Sequence, residues 1–236
     1  MKIKAIIIVI ITLLLFITCA DKKNNIESIF NQAEKLQKDV LKSVNQIASC
    51  KEKYETILKQ TPESEFAPQA CYQLGKLNEI FDHYDEAVAY YKKLLSFYPE
   101  HSLCADALFN IARINRVYLD KKAQAVNYYD QLTGLCPDNN LSFQAMIEKG
   151  KIFIHDKEWE QAIQCYEQII QQYPNHRVCD DLMARMAEIY QANLKEPESS
   201  IKMYQKLLNS YPNSPWTELA KIRINEFAEG GKKNEK

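Results

Sequence analysis

The chain has 236 residues, 46% of them apolar and 26% charged, with a formal charge of −1 at pH 7. That apolar content excludes wholesale disorder. The near-zero charge excludes the strongly basic surface expected of a nucleic-acid reader. Five glycines among many Ala, Leu, Lys, Gln and Glu residues predict a helical chain.

At the N-terminus Lys2 and Lys4 precede an uncharged, almost wholly apolar run from Ala5 to Ile17. The run is shorter than the ~20 residues a helix needs to cross a hydrocarbon core, and has the length of a signal-peptide apolar region. It stops at Thr18-Cys19-Ala20-Asp21, where charge begins. The segment Phe16-Ile17-Thr18-Cys19 resembles a bacterial lipobox. That resemblance implies a signal peptide over 1–18, a lipid on Cys19, and a short linker over 19–25. An ordinary cleaved signal and an uncleaved anchor are the other readings. The flanking residues do not choose between the inner and outer membrane.

From residue 26 onward a segment recurs. It reads Tyr54-Glu-Thr-Ile-Leu-Lys-Gln-Thr-Pro62, and returns as Tyr91 to Pro99, Tyr129 to Pro137, Tyr166 to Pro174 and Tyr204 to Pro212. The prolines stand 37, 38, 37 and 38 residues apart. Small residues keep step four places before each tyrosine, at Cys50, Ala87, Ala125, Ala162 and Ser200. A second small set, Gly75, Ala112, Gly150 and Ala187, follows each of the first four prolines. The alternating period locates one extra residue in the turns around Leu119–Lys122 and Asn193–Pro197, where insertions are tolerated. Apolar residues at spacings of three and four predict two helices per unit, about Phe66–Phe81 and Asp85–Tyr98 in the clearest one. Proline ends each second helix because it lacks an amide donor and clashes with the preceding turn.

Leu74, Gly75, Ala87, Tyr91 and Pro99 together resemble the landmarks of the tetratricopeptide repeat. The resemblance implies an all-α solenoid, a right-handed superhelix of about five hairpins. The repeat domain spans 26–228, with units at about 26–62, 63–99, 100–137, 138–174 and 175–212 and a capping helix over 213–228. Trp216, Leu219, Ala220 and Phe227 make that helix's apolar stripe, and 229–236 reads as a disordered tail. The lengthened period is similar to the repeats of Gram-negative envelope lipoproteins, those of the outer-membrane β-barrel assembly machinery and the Tol-Pal coordinators. That likeness implies a lipid-anchored protein of the bacterial envelope, facing the periplasm from the outer membrane.

No nucleophile elbow, phosphate loop, HExxH or CxxC pair occurs, so neither an enzyme nor a cofactor is expected. His101-Ser-Leu-Cys104 and His176-Arg-Val-Cys179 have ligand-like spacing. They occupy equivalent places two repeats apart, which reads as repeat inheritance at helix starts, and no metal is expected. Cys50, Cys71, Cys104, Cys136, Cys165 and Cys179 read as free thiols, with Cys50 and Cys71 the pair nearest to a disulfide. In the family the first helices line a concave groove. By phase that face carries Tyr72, Gln73 and Lys76, then Phe109, Asn110, Arg113 and Arg116, then Ile147 and Lys151, then Arg185 and Glu188. Aromatic anchors mixed with long charged groups suit extended segments of envelope proteins, rather than a small-molecule substrate. Asn110, Arg113 and Lys151 could together receive a carboxylate. The alternative role is a structural subunit that uses the outer, second-helix face.

Overall fold

The computed structural model describes residues 22–38 and 44–234, so the segment read as a signal, Cys19 and the last two residues lie outside the described region. Every regular element among the described residues is helical. They are α1 (22–38), α2 (Val44–Gln60), α3 (Ala67–Ile80), α4 (Tyr84–Phe97), α5 (Cys104–Val117) and α6 (Lys122–Leu135). Then come α7 (Asn140–His155), α8 (Trp159–Gln172), α9 (Cys179–Glu188), α10 (Pro197–Ser210) and α11 (Thr217–Asn234). No described helix is long and apolar enough to cross a membrane. Helix α1 starts at residue 22, inside the stretch read as a linker, and α11 runs past residue 228 into the stretch read as a tail.

The chain divides into two compact units between Lys121 and Lys122. In the first, α2 packs on α3, α3 on α4 and α4 on α5. In the second, α6 through α11 pack each on the next. Within both units the landmark tyrosines are the core: Tyr54, Tyr91, Tyr129, Tyr166 and Tyr204 are at most 3% exposed. Each such side chain contributes about 1.5–3 kcal/mol by leaving water.

Glycine at the first-helix landmark lets this ring in. A Cβ on Gly75 would stand 2.5 Å from Cε1 of Tyr91, and one on Gly150 would stand 2.5 Å from Cε1 of Tyr166. The tyrosine therefore packs against the small residue of its own hairpin.

The two period lengths have a local cause. Four first helices, α3, α5, α7 and α9, are followed by a non-glycine residue with positive φ: Asp82, Asp120, Lys157 and Lys195. The next amide closes the turn. His83 N bonds to the Asn78 carbonyl and Glu158 N to that of Phe153, five residues back. Lys121 N bonds to Asn115 and Glu196 N to Tyr190, six residues back. The extra residue is thus held inside the closing loop. In the second case it widens the helix into a π turn over Ile189–Leu194, a common way to absorb one residue. Helix phase upstream is untouched, so the buried face keeps its register.

Second helices stop two residues before each proline. The residue before proline is pushed out of the α region, and Tyr98, Tyr173 and Tyr211 have φ between −136° and −128° with ψ between 53° and 65°. In that conformation each hydroxyl donates to the previous repeat's proline carbonyl: Tyr98 to Pro62 at 2.7 Å, Tyr173 to Pro137 at 2.8 Å and Tyr211 to Pro174 at 2.6 Å. At the far end Ala220 and Ile224 of α11, with Trp216 just before it, cover Tyr204, Leu207 and Met183. Phe227, assigned to that stripe from periodicity, is 42% exposed, and Ile224 packs in its stead.

Candidate functional site

The first-helix face is built differently in the two units. In the first, α1, α3 and α5 bring their polar side chains together, and these bond to one another. Gln37 of α1 accepts from the Tyr54 hydroxyl and donates to Gln73 of α3, both at 2.8 Å. Asn110 of α5 donates to the Tyr72 hydroxyl of α3 at 3.4 Å. Glu79 of α3 accepts from the Tyr91 hydroxyl at 2.6 Å and pairs with the Arg113 guanidinium of α5. Burial, then the bond to Glu79, raises the Tyr91 pKa. The Arg113 pKa is also raised, because the pairing with Glu79 outweighs a larger single opposing effect of burial.

Above this bonded floor the face stays open. Lys76 is exposed with its ammonium 6.0 Å from the Tyr72 ring centre, and Phe109 and Arg116 are half-buried. The result is an aromatic and cationic surface on a floor held fixed by hydrogen bonds.

In the second unit the corresponding side chains pair along their own helices. Lys151 pairs with Glu148 at 2.7 Å on α7, and Arg185 with Asp181 at 2.8 Å on α9. Arg185 and Glu188 are exposed, and Ile147 is half-buried against the core that Met146 and Leu182 share. The bond to Asp181 raises the Arg185 pKa. Asn110 and Arg113 belong to the first unit and Lys151 to the second. Each of the two cations in that proposed carboxylate site already holds a carboxylate of its own unit.

The His-x-x-Cys pairs are turn devices. His101 Nδ1 accepts the Leu103 amide at 3.2 Å and His176 Nδ1 accepts that of Val178 at 3.3 Å. Asn139 and Ser214 do the same at the equivalent places, at 2.9 and 3.1 Å. The Cys104 and Cys179 thiols donate to the carbonyls of Tyr98 and Tyr173, both at 3.1 Å, ending the preceding helices. Among the described residues no group of three His, Cys, Asp or Glu side chains could hold a metal ion. The six cysteines of the described region are free, and all but Cys136 are buried. Burial pushes the thiols of Cys50, Cys71 and Cys165 up to about 11.

Two features escaped sequence reading. The Tyr-to-proline-carbonyl bonds were signalled by the dipeptide Tyr-Pro at 98–99, 173–174 and 211–212. The Glu79 bridge between Tyr91 and Arg113 had no such signal.

Comparison with known proteins agrees with this geometry. Tetratricopeptide repeat profiles match residues 68–101, 106–139, 144–176 and 181–214, more than half of the chain. No curated protein matches it in sequence. Among solved structures, a tetratricopeptide repeat protein from Parabacteroides merdae shares 16% identity at a TM-score of 0.57, over 86% of this chain and 72% of its own. The MamA protein shares 18% at 0.54, over 78% of this chain and 91% of its own. YrrB, described as a tetratricopeptide repeat protein with an unusual peptide-binding site, shares 20% at 0.51, over 87% and 97%. At such identities the likeness is one of fold. The repeating matches, the phased helices and the tyrosine-on-glycine packing lead to one statement: this chain belongs to the tetratricopeptide repeat family.

Proposed function

We propose that this chain is a non-catalytic protein–protein interaction scaffold, held at a membrane of the bacterial envelope by a lipid on Cys19. Partner segments bind along its first-helix face. The observation that carries the binding role is the first unit's surface, where Tyr72, Lys76, Phe109 and Arg116 stand over a floor bonded from α1 to α5. A floor held in place this way gives little ground on binding, so fewer side chains are ordered at a partner's expense. The half-buried aromatic rings supply anchors, and the long cations supply orientation.

The lipobox-like Phe16-Ile17-Thr18-Cys19 supports the anchor, and the lengthened repeat, similar to those of Gram-negative envelope lipoproteins, supports a place on the periplasmic face of the outer membrane. There the protein serves outer-membrane protein assembly or envelope maintenance, in the manner of the β-barrel assembly or Tol-Pal lipoproteins. A surface anchor raises the effective concentration of partners already at that membrane.

The test is crosslinking in intact cells, comparing the native chain with a Lys76→Glu, Arg116→Glu variant. Loss of its crosslinked partners from the folded variant is expected; an unchanged partner set would overturn binding at this face. Cell fractionation of Cys19→Ala tests the anchor, and continued membrane association would refute lipidation there. A second reading, a structural subunit docking through its second-helix face, is favoured by Phe97, an exposed aromatic on α4. Under that reading Phe97→Glu disrupts assembly while the Lys76 and Arg116 changes do not.

A further inference from the structure

One edge of the first unit is more apolar than the repeat requires. Ile80 closes α3 and Val117 closes α5, at equivalent places, and Tyr118 follows; all three are about half exposed. In the second unit the equivalents of Ile80 and Val117 are His155 and Ala192, and those of Phe81 and Tyr118 are Asp156 and Asn193. The Tyr84 ring stacks on that of Tyr118, with centres 4.0 Å apart. The matching pair in the second unit is an ion pair, Lys122 with Asp156 at 2.5 Å. The hairpin therefore closes with polar residues at these positions, and the apolar ones answer no packing need.

Charge differs between the units in the same turns. The residue with positive φ is aspartate in the first, at Asp82 and Asp120, and lysine in the second, at Lys157 and Lys195. The turns 80–86 and 117–121 carry Asp82, Asp85, Glu86 and Asp120, all exposed, against one lysine, Lys121, which pairs with Asp85 at 3.4 Å. That pair, the tyrosine stack and the Glu79–Arg113 bridge behind them join the two turns into one surface.

We propose that this edge docks a basic amphipathic segment of a partner protein, its apolar side chains on Ile80, Val117 and Tyr118 and its lysines or arginines opposite the carboxylates. Apolar side chains clustered in the open mark an interaction site. The carboxylates around them set the sign of the partner, and repel nucleic acid and anionic lipid alike. A bilayer reached through Cys19 would lie at the other end of the helices. Lys22 and Lys23 pair with Glu63 and Glu65, just before α3, whereas Ile80 is the last residue of α3, about 20 Å along it. The edge is opposite in charge to the cations Lys76 and Arg116 of the first-helix face, so it takes a different segment. The inference rests on the reading of this chain as a protein-binding scaffold and adds a second surface to it.

The experiment measures binding of synthetic peptides to the full chain by fluorescence anisotropy. The probes are a leucine–lysine amphipathic helix, the same sequence with glutamate for lysine, and a scrambled leucine–lysine sequence. Two variants transplant residues of the second unit: Ile80→His, Val117→Ala, Tyr118→Asn removes the apolar cluster, and Asp82→Lys, Asp120→Lys reverses the charge. Both are expected to stay folded by circular dichroism, because the second unit's hairpins close with these residues. The leucine–lysine helix is expected to bind, to lose about tenfold or more in affinity to each variant, and to ignore Lys76→Glu, Arg116→Glu. Equal affinity for all the peptides, preference for the glutamate peptide, or indifference to both variants would overturn the proposal. No binding of any peptide would overturn the edge as a docking site and leave the crosslinking test of the first-helix face to stand by itself. Self-association of the chain, or binding of phosphatidylglycerol vesicles, that the apolar variant abolishes would overturn the occupant in favour of a second copy or of lipid.

Discussion

The Gly75–Tyr91 contact sets a steric limit that can be measured. The methyl group of Gly75→Ala would meet three ring atoms of Tyr91 within 2.8 Å, and that ring is fully buried with its hydroxyl tied to Glu79. At Gly150 one atom of Tyr166 lies at 2.5 Å and the next at 3.2 Å. Overpacking of this kind costs about 1–3 kcal/mol. Urea denaturation should find Gly75→Ala the more destabilising of the two; equal midpoints would contradict the ring's immobility. The tyrosines also set a pH limit. Burial raises the pKa of Tyr54, Tyr91 and Tyr211, the last to about 12, and raises the thiols of Cys50, Cys71 and Cys165 to about 11. A group whose pKa is raised by folding contributes stability below its unfolded value and loses it as pH rises through the folded one. Stability should therefore hold up to about pH 9 and fall progressively above it, as thiols and then phenols ionise first in the unfolded chain. A chemical-denaturation series from pH 7 to 11 that stays flat would refute this.

At the scale of the helix, the inserted residue is a property of the closing loop. Deletion of Leu119 shortens the Asn115–Lys121 closure to the five-residue form already present between Asn78 and His83. Deletion of Ala112, inside α5, rotates every buried residue behind it off its face. Circular dichroism and thermal melts are expected to show a folded Leu119 deletion and an unfolded or strongly destabilised Ala112 deletion. The tyrosine bonds to proline carbonyls make a smaller claim. Tyr173→Phe removes one partly exposed hydrogen bond between repeats, and a loss of about 0.5–1.5 kcal/mol is expected. Much of this level was legible beforehand. Helix spans and the position of the insertion follow from periodicity, because each depends on neighbours within a few turns; that the tyrosine ring lies on the small residue of its own hairpin did not. The end of α11 was not. Phe227 fits an apolar stripe by spacing, yet the last hairpin extends only far enough to cover Ala220 and Ile224.

Across the molecule, stability in a repeat array is close to a sum of local units and their interfaces. A chain ending at Pro212 would uncover Met183, Tyr204 and Leu207, which α11 now shields. Its last hairpin is expected to lose amide-exchange protection while the first unit keeps its own. Thiol accessibility gives a parallel readout. Cys136 is the partly exposed thiol among those described, so Ellman's reagent should label it first in a Cys19→Ala chain, with the buried five reacting only as the array opens.

The sequence by itself determined that this is a helical repeat protein and that its landmark tyrosines face inward. Those properties repeat every 37 or 38 residues and are enforced by packing between near neighbours. Only the tertiary structure decided what the outward side chains do. Arg113 and Lys151 were legible as cations of first helices, but the carboxylates that hold them were not. Glu79 reaches Arg113 from 34 residues away, and no spacing rule announces which of several acidic residues will stand opposite.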